Sequence, residues 1–292
     1  MLARAKINLY LHVAAPDTRG YHPLQSLVVF ADIGDEIEFL PAQPSGLADE
    51  RMPRLGIEGP FSDGLDVGED NLILKAVRRF EAGAAVKVDR HHIRLAKNLP
   101  VASGMGGGSA DAGAVLHLLR RLYAPEMEDA DLSAIAGAIG ADGIMCLWSQ
   151  SAFAEGYGEI LTPAHVPVIP AVLVNPGVAC ATAKVYGGYD KQGRFNEIDV
   201  RPDFDGIRDI RQLISALSRT RNDLQSPAIH LQPAIAEVLT ALEAQDETLF
   251  ARMSGSGATC FALCETDEAA GALSLRMQTM MPDAWVRACR LG

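Results

Sequence analysis

A glycine-rich stretch followed by an apolar helical pattern is the part of this sequence with the clearest chemical use. Residues 100–113 read PVASGMGGGSADAG, and the segment after them has apolar residues at the spacing of one helix face. Glycines let the backbone approach a ligand closely, and the free N–H groups at a helix N-terminus attract negative charge. Ser109 could cap this helix, and Asp111 in its first turn would support the helix dipole. The pattern therefore predicts a phosphate-binding loop.

Neither of the two common glycine motifs for nucleotides fits this stretch. A Walker A loop requires Gly-Lys followed by Ser or Thr, and no Gly-Lys pair occurs in the sequence. A G-x-G-x-x-G motif requires a third glycine where Ser109 stands. A flexible loop before an ordinary helix is the structural alternative. Four glycines within residues 104–108 favour phosphate binding over it.

Four shorter motifs carry further polar and aromatic side chains. AKINLYLHV reads as a strand in which Lys6 and Asn8 alternate, so that both project from the same face. RGYHPLQS is a turn with Tyr21 and His22, GAD ends in Asp142, and SGSGAT is a second glycine-rich turn. Taken singly, Lys6 could be a solvated edge residue, Asp142 a turn residue and His22 a surface histidine.

Composition and charge limit the classes of function. The 292 residues suffice for one large domain or two ordinary ones, and 48% hydrophobic content allows a sizeable core. A net charge of −11 argues against a surface for nucleic acid or anionic membrane. The five cysteines are scattered with no C-x-x-C pair, which favours reduced thiols over disulfides or a zinc site. With no signal-like N-terminus and no apolar run of about 18 residues, we expect a cytoplasmic protein without a membrane partner.

The elements that must position these motifs read as a mixture of strands and helices. Loops around one short strand are expected over 41–68, and a weakly marked domain boundary near 150–165. Because the order lacks strict βαβ alternation, the pattern predicts an α+β fold. Strands are predicted at 7–13, 27–30, 36–40, 92–95 and 166–174 and directly after the SGSGAT turn, and helices from 71 and over 112–122, 132–139, 207–217, 235–244 and 269–280.

Together, these motifs resemble the GHMP kinase superfamily. Within it, the similarity is strongest to the kinases that act on a cytidine-diphosphate-linked methylerythritol, and it runs nearly end to end. The resemblance implies two domains, an ATP-binding one of ribosomal-protein-S5-like α/β fold at 1–155 and a ferredoxin-like α/β one at 156–292 that completes the substrate site. The matching segments are AKINLYLHV, RGYHPLQS, GEDNLIL, KNLPVASGMGGGSADAG, AFAEGYGEIL, NPGVACATAKVY, RNDLQSPA and MSGSGATCFAL.

The resemblance also implies a reaction, ATP-dependent phosphorylation of the substrate 2-hydroxyl in the non-mevalonate isoprenoid pathway. Asp142 would orient or deprotonate that hydroxyl, and Lys6 would stabilise the carboxylate and help to neutralise developing negative charge. Magnesium would bridge the ATP phosphates. Ser109 is a possible ligand for it, and no magnesium-binding carboxylate can be identified from spacing.

Binding residues carried over from the resemblance fall into two sets, in a chain expected to be a monomer or a homodimer. Tyr186, in the second set, has a structural alternative as a core residue. The ATP set comprises Pro100, Gly104, Met105, Gly106, Gly107, Gly108, Ser109, Lys97 and Asn71. The substrate set comprises Asn8, Tyr21, His22, Thr182, Tyr186, Gly255, Ser256 and Gly257.

One departure from the family pattern falls beside Asp142. The family continues after GAD with Val-Pro, whereas this chain has Gly143 and Ile144, and a glycine would loosen the backbone next to the carboxylate. Two alternatives therefore stay open: another small-molecule kinase of the superfamily, such as a homoserine or mevalonate kinase, and a catalytically idle nucleotide-binding homologue. The Tyr21–His22 turn favours a substrate that carries a base, and intact Lys6 and Asp142 favour a working enzyme.

Overall fold

A computed structural model describes residues 1–41, 54–88, 91–198, 201–204 and 206–292. Within these residues the chain mixes ten strands with nine helices, which agrees with the predicted α+β class. The chain divides into two compact units, each drawn from several segments. The predicted domains 1–155 and 156–292 stay a prediction. Unit 1 comprises residues 1–5, 33–99 and 106–149, and unit 2 comprises residues 6–32, 100–105 and 150–292.

The strands match most of the predicted ones, with β5, β6, β8 and β10 added. The loop region predicted over 41–68 does contain one short strand, β3, while its residues 42–53 lie outside the described part. The strands are β1 (Leu2–Val13), β2 (Leu24–Pro41), β3 (Arg54–Glu58), β4 (His91–Ala96), β5 (Ala152–Glu155), β6 (Ile160–Pro163), β7 (Ile169–Asn175), β8 (Phe250–Met253), β9 (Cys260–Leu263) and β10 (Trp285–Leu291).

The helices include all six predicted ones and three others that the apolar periodicity did not indicate, α4, α5 and α7. Among the described helices, none is long and apolar enough to cross a membrane. The helices are α1 (Leu72–Ala84), α2 (Gly107–Tyr123), α3 (Asp129–Gly137), α4 (Gly143–Trp148), α5 (Thr182–Gln192), α6 (Ile210–Leu217), α7 (Gln225–Leu231), α8 (Ala234–Glu243) and α9 (Asp267–Met280).

Strand β2 differs most from its prediction. The sequence indicated two strands, at 27–30 and 36–40, whereas the structure has one strand of 18 residues. Gly34, in the gap between the two predicted strands, lies inside that strand. A Cβ on Gly34 would stand 1.9 Å from the carbonyl oxygen of Ala3, so this glycine permits a close approach of two backbones rather than a turn.

Unit 1 combines a small sheet with four helices. Strand β4 pairs antiparallel with the end of β2, where Glu36 faces Ala96, and parallel with β3. Helix α1 packs against α2 and α3, and α2 packs against α4. The buried faces of α1 and α2 supply the apolar contacts, including Phe80 and Leu119. This packing fixes the direction in which the N-terminus of α2 points within the unit.

Unit 2 is built on antiparallel strands in the order β6-β5-β2-β10-β7-β9-β8. An apolar cluster joins β1, β7 and β9 to α8 and α9 through residues such as Val174, Leu242 and Leu273. All five cysteines of the chain are buried and free, as predicted. Burial raises the pKa of the Cys264 thiol to about 12, which leaves it unreactive.

Candidate active site

Two glycine-containing segments interlock in unit 2, residues 100–105 with Gly104 and the turn at 254–257. Gly104 has φ +76°, and a Cβ on it would lie 2.4 Å from the carbonyl oxygen of Ser254. Gly255 has φ +55°, and its Cβ would lie 2.9 Å from the carbonyl oxygen of Gly104. The Ser254 hydroxyl donates to that same oxygen at 3.1 Å. Both positions therefore require glycine, and each segment holds the other in place.

Strand β1 brings Lys6 and Asn8 to this pair of segments. The Lys6 N–H donates to the carbonyl oxygen of Met105 at 2.9 Å, and the Asn8 N–H donates to Ser254 Oγ at 3.1 Å. Lys6 and Asn8 are 6% and 5% exposed, so the alternative of a solvated edge lysine is wrong. Asn8 Nδ2 donates to Ser26 Oγ, while among the described residues its buried Oδ1 accepts no hydrogen bond. A buried acceptor of this kind suits a donor on a ligand.

Two further predicted substrate residues meet at the same turn. Thr182 is the first residue of α5, and its hydroxyl lies 2.9 Å from the hydroxyl of Ser256. The structure thus brings together predicted residues from β1, from the first glycine segment, from α5 and from the second glycine turn. Backbone N–H groups and hydroxyls arranged in this way are the groups that bind phosphate oxygens.

Sequence reasoning missed two residues that support this turn. Asn222 donates from Nδ2 to the carbonyl oxygens of Met253 and Gly255, each at 2.8 Å. Arg252 is buried and donates to Leu9 O at 2.9 Å and to both oxygens of Thr220 at 2.8 Å. Burial lowers the pKa of Arg252 to about 10. The motif RNDLQSPA contained Asn222 and was the available signal, but its contacts cross about 30 residues of sequence and follow from no local spacing.

The predicted base-binding residues form a second group in unit 2. His22 is buried, with Nδ1 2.8 Å from Ala14 O and Nε2 3.1 Å from a carboxylate oxygen of Asp190. Its ring centroid lies 5.1 Å from that of Tyr186. Tyr21, in contrast, is 63% exposed. His22 is therefore no surface histidine, and a ligand would meet its ring face or replace one of its two partners, whereas Tyr21 offers a free aromatic face.

In unit 1, Lys97 lies beneath the first turn of α2 between two carboxylates. Its Nζ donates to Asp35 and, at 2.8 Å, to Asp111, and all three side chains are buried. A Cβ on Gly107 would lie 3.1 Å from this Nζ. Asp35 also accepts from the backbone N–H groups of residues 98 and 99. The sequence drew no attention to Asp35, which is 62 residues from Lys97.

The charges of this trio are coupled. Burial raises the pKa of Asp111 to about 7, and the neighbouring Asp35 adds to the rise while Lys97 opposes it. The pKa of Lys97 is also raised, because the two carboxylates outweigh its own desolvation. The raised pKa of Asp111 reflects the cost of burying its negative charge beside a second carboxyl group, a cost that Lys97 offsets only in part.

The start of α2 corrects two predictions. The helix begins at Gly107, with Gly106 as its N-cap at φ +65°, so Ser109 is the third helical residue and does not cap. Asp111 lies beyond the first turn and pairs with Lys97, so its predicted role in supporting the helix dipole is wrong. Gly106 adopts the left-handed conformation at the point where the chain enters the helix, which a residue with a side chain disfavours.

Asn71 and Asp142 both stand at helix starts in unit 1. Asn71 caps α1, with Oδ1 accepting from the N–H of Ile73 at 2.9 Å. Asp142 occupies the N-cap position of α4 without a capping bond from its side chain. A Cβ on the next residue, Gly143, would lie 2.0 Å from the carbonyl oxygen of Ala136. Gly143 therefore permits tight packing of α4 against the end of α3, and the expectation that it loosens the backbone is wrong.

The side chains near the start of α2 could supply magnesium with one ligand but not with a full set. No three His, Cys, Asp or Glu side chains converge on a metal cluster in the part of the chain that the structure describes. Mg²⁺ in phosphoryl-transfer sites needs only one or two protein ligands, because phosphate oxygens and water complete its octahedron. The hydroxyl of Ser109, in the partly exposed first turn of α2, is compatible with one such ligand.

Comparisons with known proteins identify the family of this chain. The pattern described as GHMP kinases N terminal domain matches residues 71–150, and that described as GHMP kinases C terminal matches residues 202–283. The chain therefore belongs to the GHMP kinase family, and the predicted two-domain fold of that family is confirmed.

Individual relatives show which members of the family this chain is similar to in sequence and in fold. A 4-diphosphocytidyl-2-C-methyl-D-erythritol kinase from Caulobacter vibrioides is 46% identical over 292 residues, which cover 99% of this chain and 98% of the relative. The crystal structure of a 4-(cytidine 5'-diphospho)-2C-methyl-D-erythritol kinase has a TM-score of 0.77 at 30% identity and covers 100% of this chain and 98% of its own. A homoserine kinase from Cytophaga hutchinsonii, at 19% identity and a TM-score of 0.67 over 99% and 95% of the chains, shares the fold.

Proposed function

We propose that this protein transfers the γ-phosphoryl group of ATP to the 2-hydroxyl of 4-diphosphocytidyl-2-C-methyl-D-erythritol. The observation that carries the proposal is full-length similarity, at 46% identity, to a kinase of that name. The interlocked glycine segments and the buried Lys6 and Asn8 beside them support it, since phosphoryl transfer depends on positioning and on neutralising charge. A cytoplasmic location belongs to the same proposal and rests on the free cysteines.

The ATP half of the site would lie at the start of α2. The backbone N–H groups of residues 106–109 would bind phosphate oxygens, aided by the positive end of the helix dipole. Lys97 and Asn71, in the same unit as α2, are proposed to contact the nucleotide. Magnesium, when bound, would neutralise charge on the phosphates, with Ser109 as a protein ligand.

The acceptor half would lie at β1 and the second glycine turn. Asn8 Oδ1, the buried acceptor without a partner among the described residues, would accept a hydrogen bond from a substrate hydroxyl. Thr182 and the N–H groups of Gly255 and Ser256 would hold the substrate's own phosphates. Tyr21, His22 and Tyr186 would bind the cytosine ring, using Tyr21 as the exposed stacking face.

The reaction itself is assigned to Asp142 and Lys6. Asp142 would accept the proton of the substrate hydroxyl, or orient that hydroxyl in line with the γ-phosphorus. Lys6 would stabilise negative charge on the transferred group. Both roles are proposals carried over from the family at matching positions, Lys6 in AKINLYLHV and Asp142 in GAD.

One assay tests the proposal against its alternatives. The protein is incubated with ATP, magnesium and one acceptor at a time, namely the cytidine-linked methylerythritol, homoserine or mevalonate, and ADP release is followed. We expect turnover with the cytidine-linked acceptor. Turnover confined to homoserine or mevalonate would overturn the proposed substrate, and ATP binding without turnover of any acceptor would indicate an idle homologue.

A further inference from the structure

Tyr21 is an exposed aromatic side chain whose backbone is fixed by Asp17. The Tyr21 N–H donates to Asp17 Oδ1 at 3.0 Å, and the Asp17 N–H donates to the Tyr21 carbonyl oxygen at 2.8 Å. These reciprocal bonds close a tight turn, and Gly20 supplies the positive φ of +82° that it needs. The backbone of Tyr21 is thus held, although 63% of its surface is open to solvent.

The ring of Tyr21 also has neighbours on one side. The guanidinium carbon of Arg19 lies 5.7 Å from the Tyr21 ring centroid and 5.1 Å from that of Tyr157. The two tyrosine rings meet edge to face, with centroids 6.1 Å apart and an interplanar angle of 71°. Arg19 and Tyr157 therefore limit the orientations that the Tyr21 ring can adopt.

A closed set of hydrogen bonds fixes Arg19 and Tyr157 themselves. The Tyr157 hydroxyl donates to Asp17 Oδ2 at 2.8 Å and accepts from Arg19 Nη2 at 2.7 Å. Arg19 Nε donates to the same carboxylate oxygen at 2.9 Å. Desolvation acts to raise the pKa of Asp17, but the bonds from Tyr21, Tyr157 and Arg19 outweigh it and hold that pKa well below its usual range. The carboxylate thus stays ionised at neutral pH.

We propose that Asp17, Arg19 and Tyr157 are positioning residues that hold the Tyr21 ring in one orientation to stack on the substrate's cytosine. The inference rests on the proposed acceptor. A mobile surface tyrosine would lose rotamer freedom on stacking, and this loss of entropy would weaken binding. The cost is avoided if the orientation of the ring is fixed before the substrate binds. Asp17, Arg19 and Tyr157 are assigned no role toward ATP or the transferred phosphoryl group. Their effect should therefore fall on acceptor binding.

The test uses Tyr157→Phe, which keeps the ring and removes only the hydroxyl with its two hydrogen bonds. We expect the KM for the cytidine-linked acceptor to rise about three- to tenfold, as for one freed side chain. The kcat and the KM for ATP should stay within about twofold. Tyr123→Phe, at the end of α2 in unit 1, is the matched control and should change neither KM. An unchanged acceptor KM in Tyr157→Phe would overturn the proposal.

A double-mutant cycle separates positioning from general damage. If Tyr157 acts through Tyr21, adding Tyr157→Phe to Tyr21→Ala should raise the acceptor KM no further. The same factor in both backgrounds would show that Tyr157 acts on something else. A fall in kcat and a rise in both KM values, with a lower Tm, would identify a merely structural role.

The order of the Tyr21 ring supplies a readout that does not need turnover. Aromatic ¹³C relaxation should show a lower order parameter for Tyr21 in Tyr157→Phe than in the wild type. Calorimetry with CDP as the probe should show a Kd for the variant that is about three- to tenfold higher than that of the wild type. Loss of the proposed function would appear as no turnover of the cytidine-linked acceptor by the wild type. An unchanged ring order, or no CDP binding by the wild type, would overturn the stacking proposal itself.

Discussion

The side-chain amide of Asn222 holds the backbone of the second glycine turn, with Nδ2 2.8 Å from the carbonyl oxygen of Gly255. The same nitrogen donates to Met253 O, and Asn222 Oδ1 accepts from the N–H of Leu224, so the amide is fully used. The backbone of Asn222 also pairs with Leu11 of β1. Asn222 thus connects β1, through its backbone, to the turn that interlocks with Gly104, through its side chain.

Asn222→Asp should therefore destabilise unit 2. The substitution replaces two donors by an oxygen that faces two carbonyl oxygens, and an unsatisfied buried group costs about 1–3 kcal/mol. The loss should shrink as the pH is lowered toward about 5, because a protonated carboxyl can again donate. Urea denaturation across this pH range measures it. Gln278→Glu, the same chemical change on the exposed face of α9, is the control and should cost little.

Asp111→Asn should remove a pH dependence from stability. The pKa of Asp111 is about 7 in the folded protein against an ordinary value of 3.8, so the folded state binds more protons between these values. Unfolding free energy from this group therefore falls as pH rises through that window, by at most about 1.4 kcal/mol per unit. The charged partners that face it are Lys97 and Asp35.

The measurement for Asp111 is the difference in unfolding free energy between wild type and Asp111→Asn. This difference should be most favourable to the wild type near pH 4–5 and should decline toward about pH 8. A difference that is constant with pH would show that Asp111 stays ionised throughout. Asp131→Asn, an exposed change on α3, serves as the reference and should give a flat difference.

Gly143→Ala should destabilise unit 1, whereas Gly140→Ala should not. A Cβ at residue 143 would stand 2.0 Å from the carbonyl oxygen of Ala136, while a Cβ at residue 140 meets nothing within 4 Å. We expect a loss of about 1–3 kcal/mol for Gly143→Ala by overpacking. Thermal unfolding of the two variants compares them directly. Equal stability of both would contradict the close packing of α4 against α3.

Asp142→Asn should abolish most turnover and leave ATP binding intact. Loss of a general base or orienting carboxylate lowers the rate by about 10²–10⁴-fold. Lys6→Met should also lower turnover strongly, since it removes the positive charge that is proposed to stabilise the transferred group. ADP release gives kcat, and calorimetry gives the Kd for ATP. A rate near that of the wild type in either variant would refute the role assigned to that residue.

Several elements were predictable because their signal is local. Asn71 before an apolar helical pattern marked the start of α1, and it caps that helix. The alternation in AKINLYLHV marked β1 and placed Lys6 and Asn8 on one face, where both are buried beside the first glycine segment. Strand β2 was misjudged at Gly34, because the reason for that glycine is the backbone of Ala3 on another strand.

The sequence by itself determined the family, the glycine segments and most candidate site residues, because these depend on residue type at fixed spacing. The tertiary structure alone decided why Gly104 and Gly255 must be glycines, since each meets the backbone of the other's segment, about 150 residues away. It also decided that Asp111 pairs with Lys97 instead of supporting a helix dipole, and that Asn222 and Arg252 support the second turn. Contacts between distant segments carry no local periodicity, so only the folded chain reveals them.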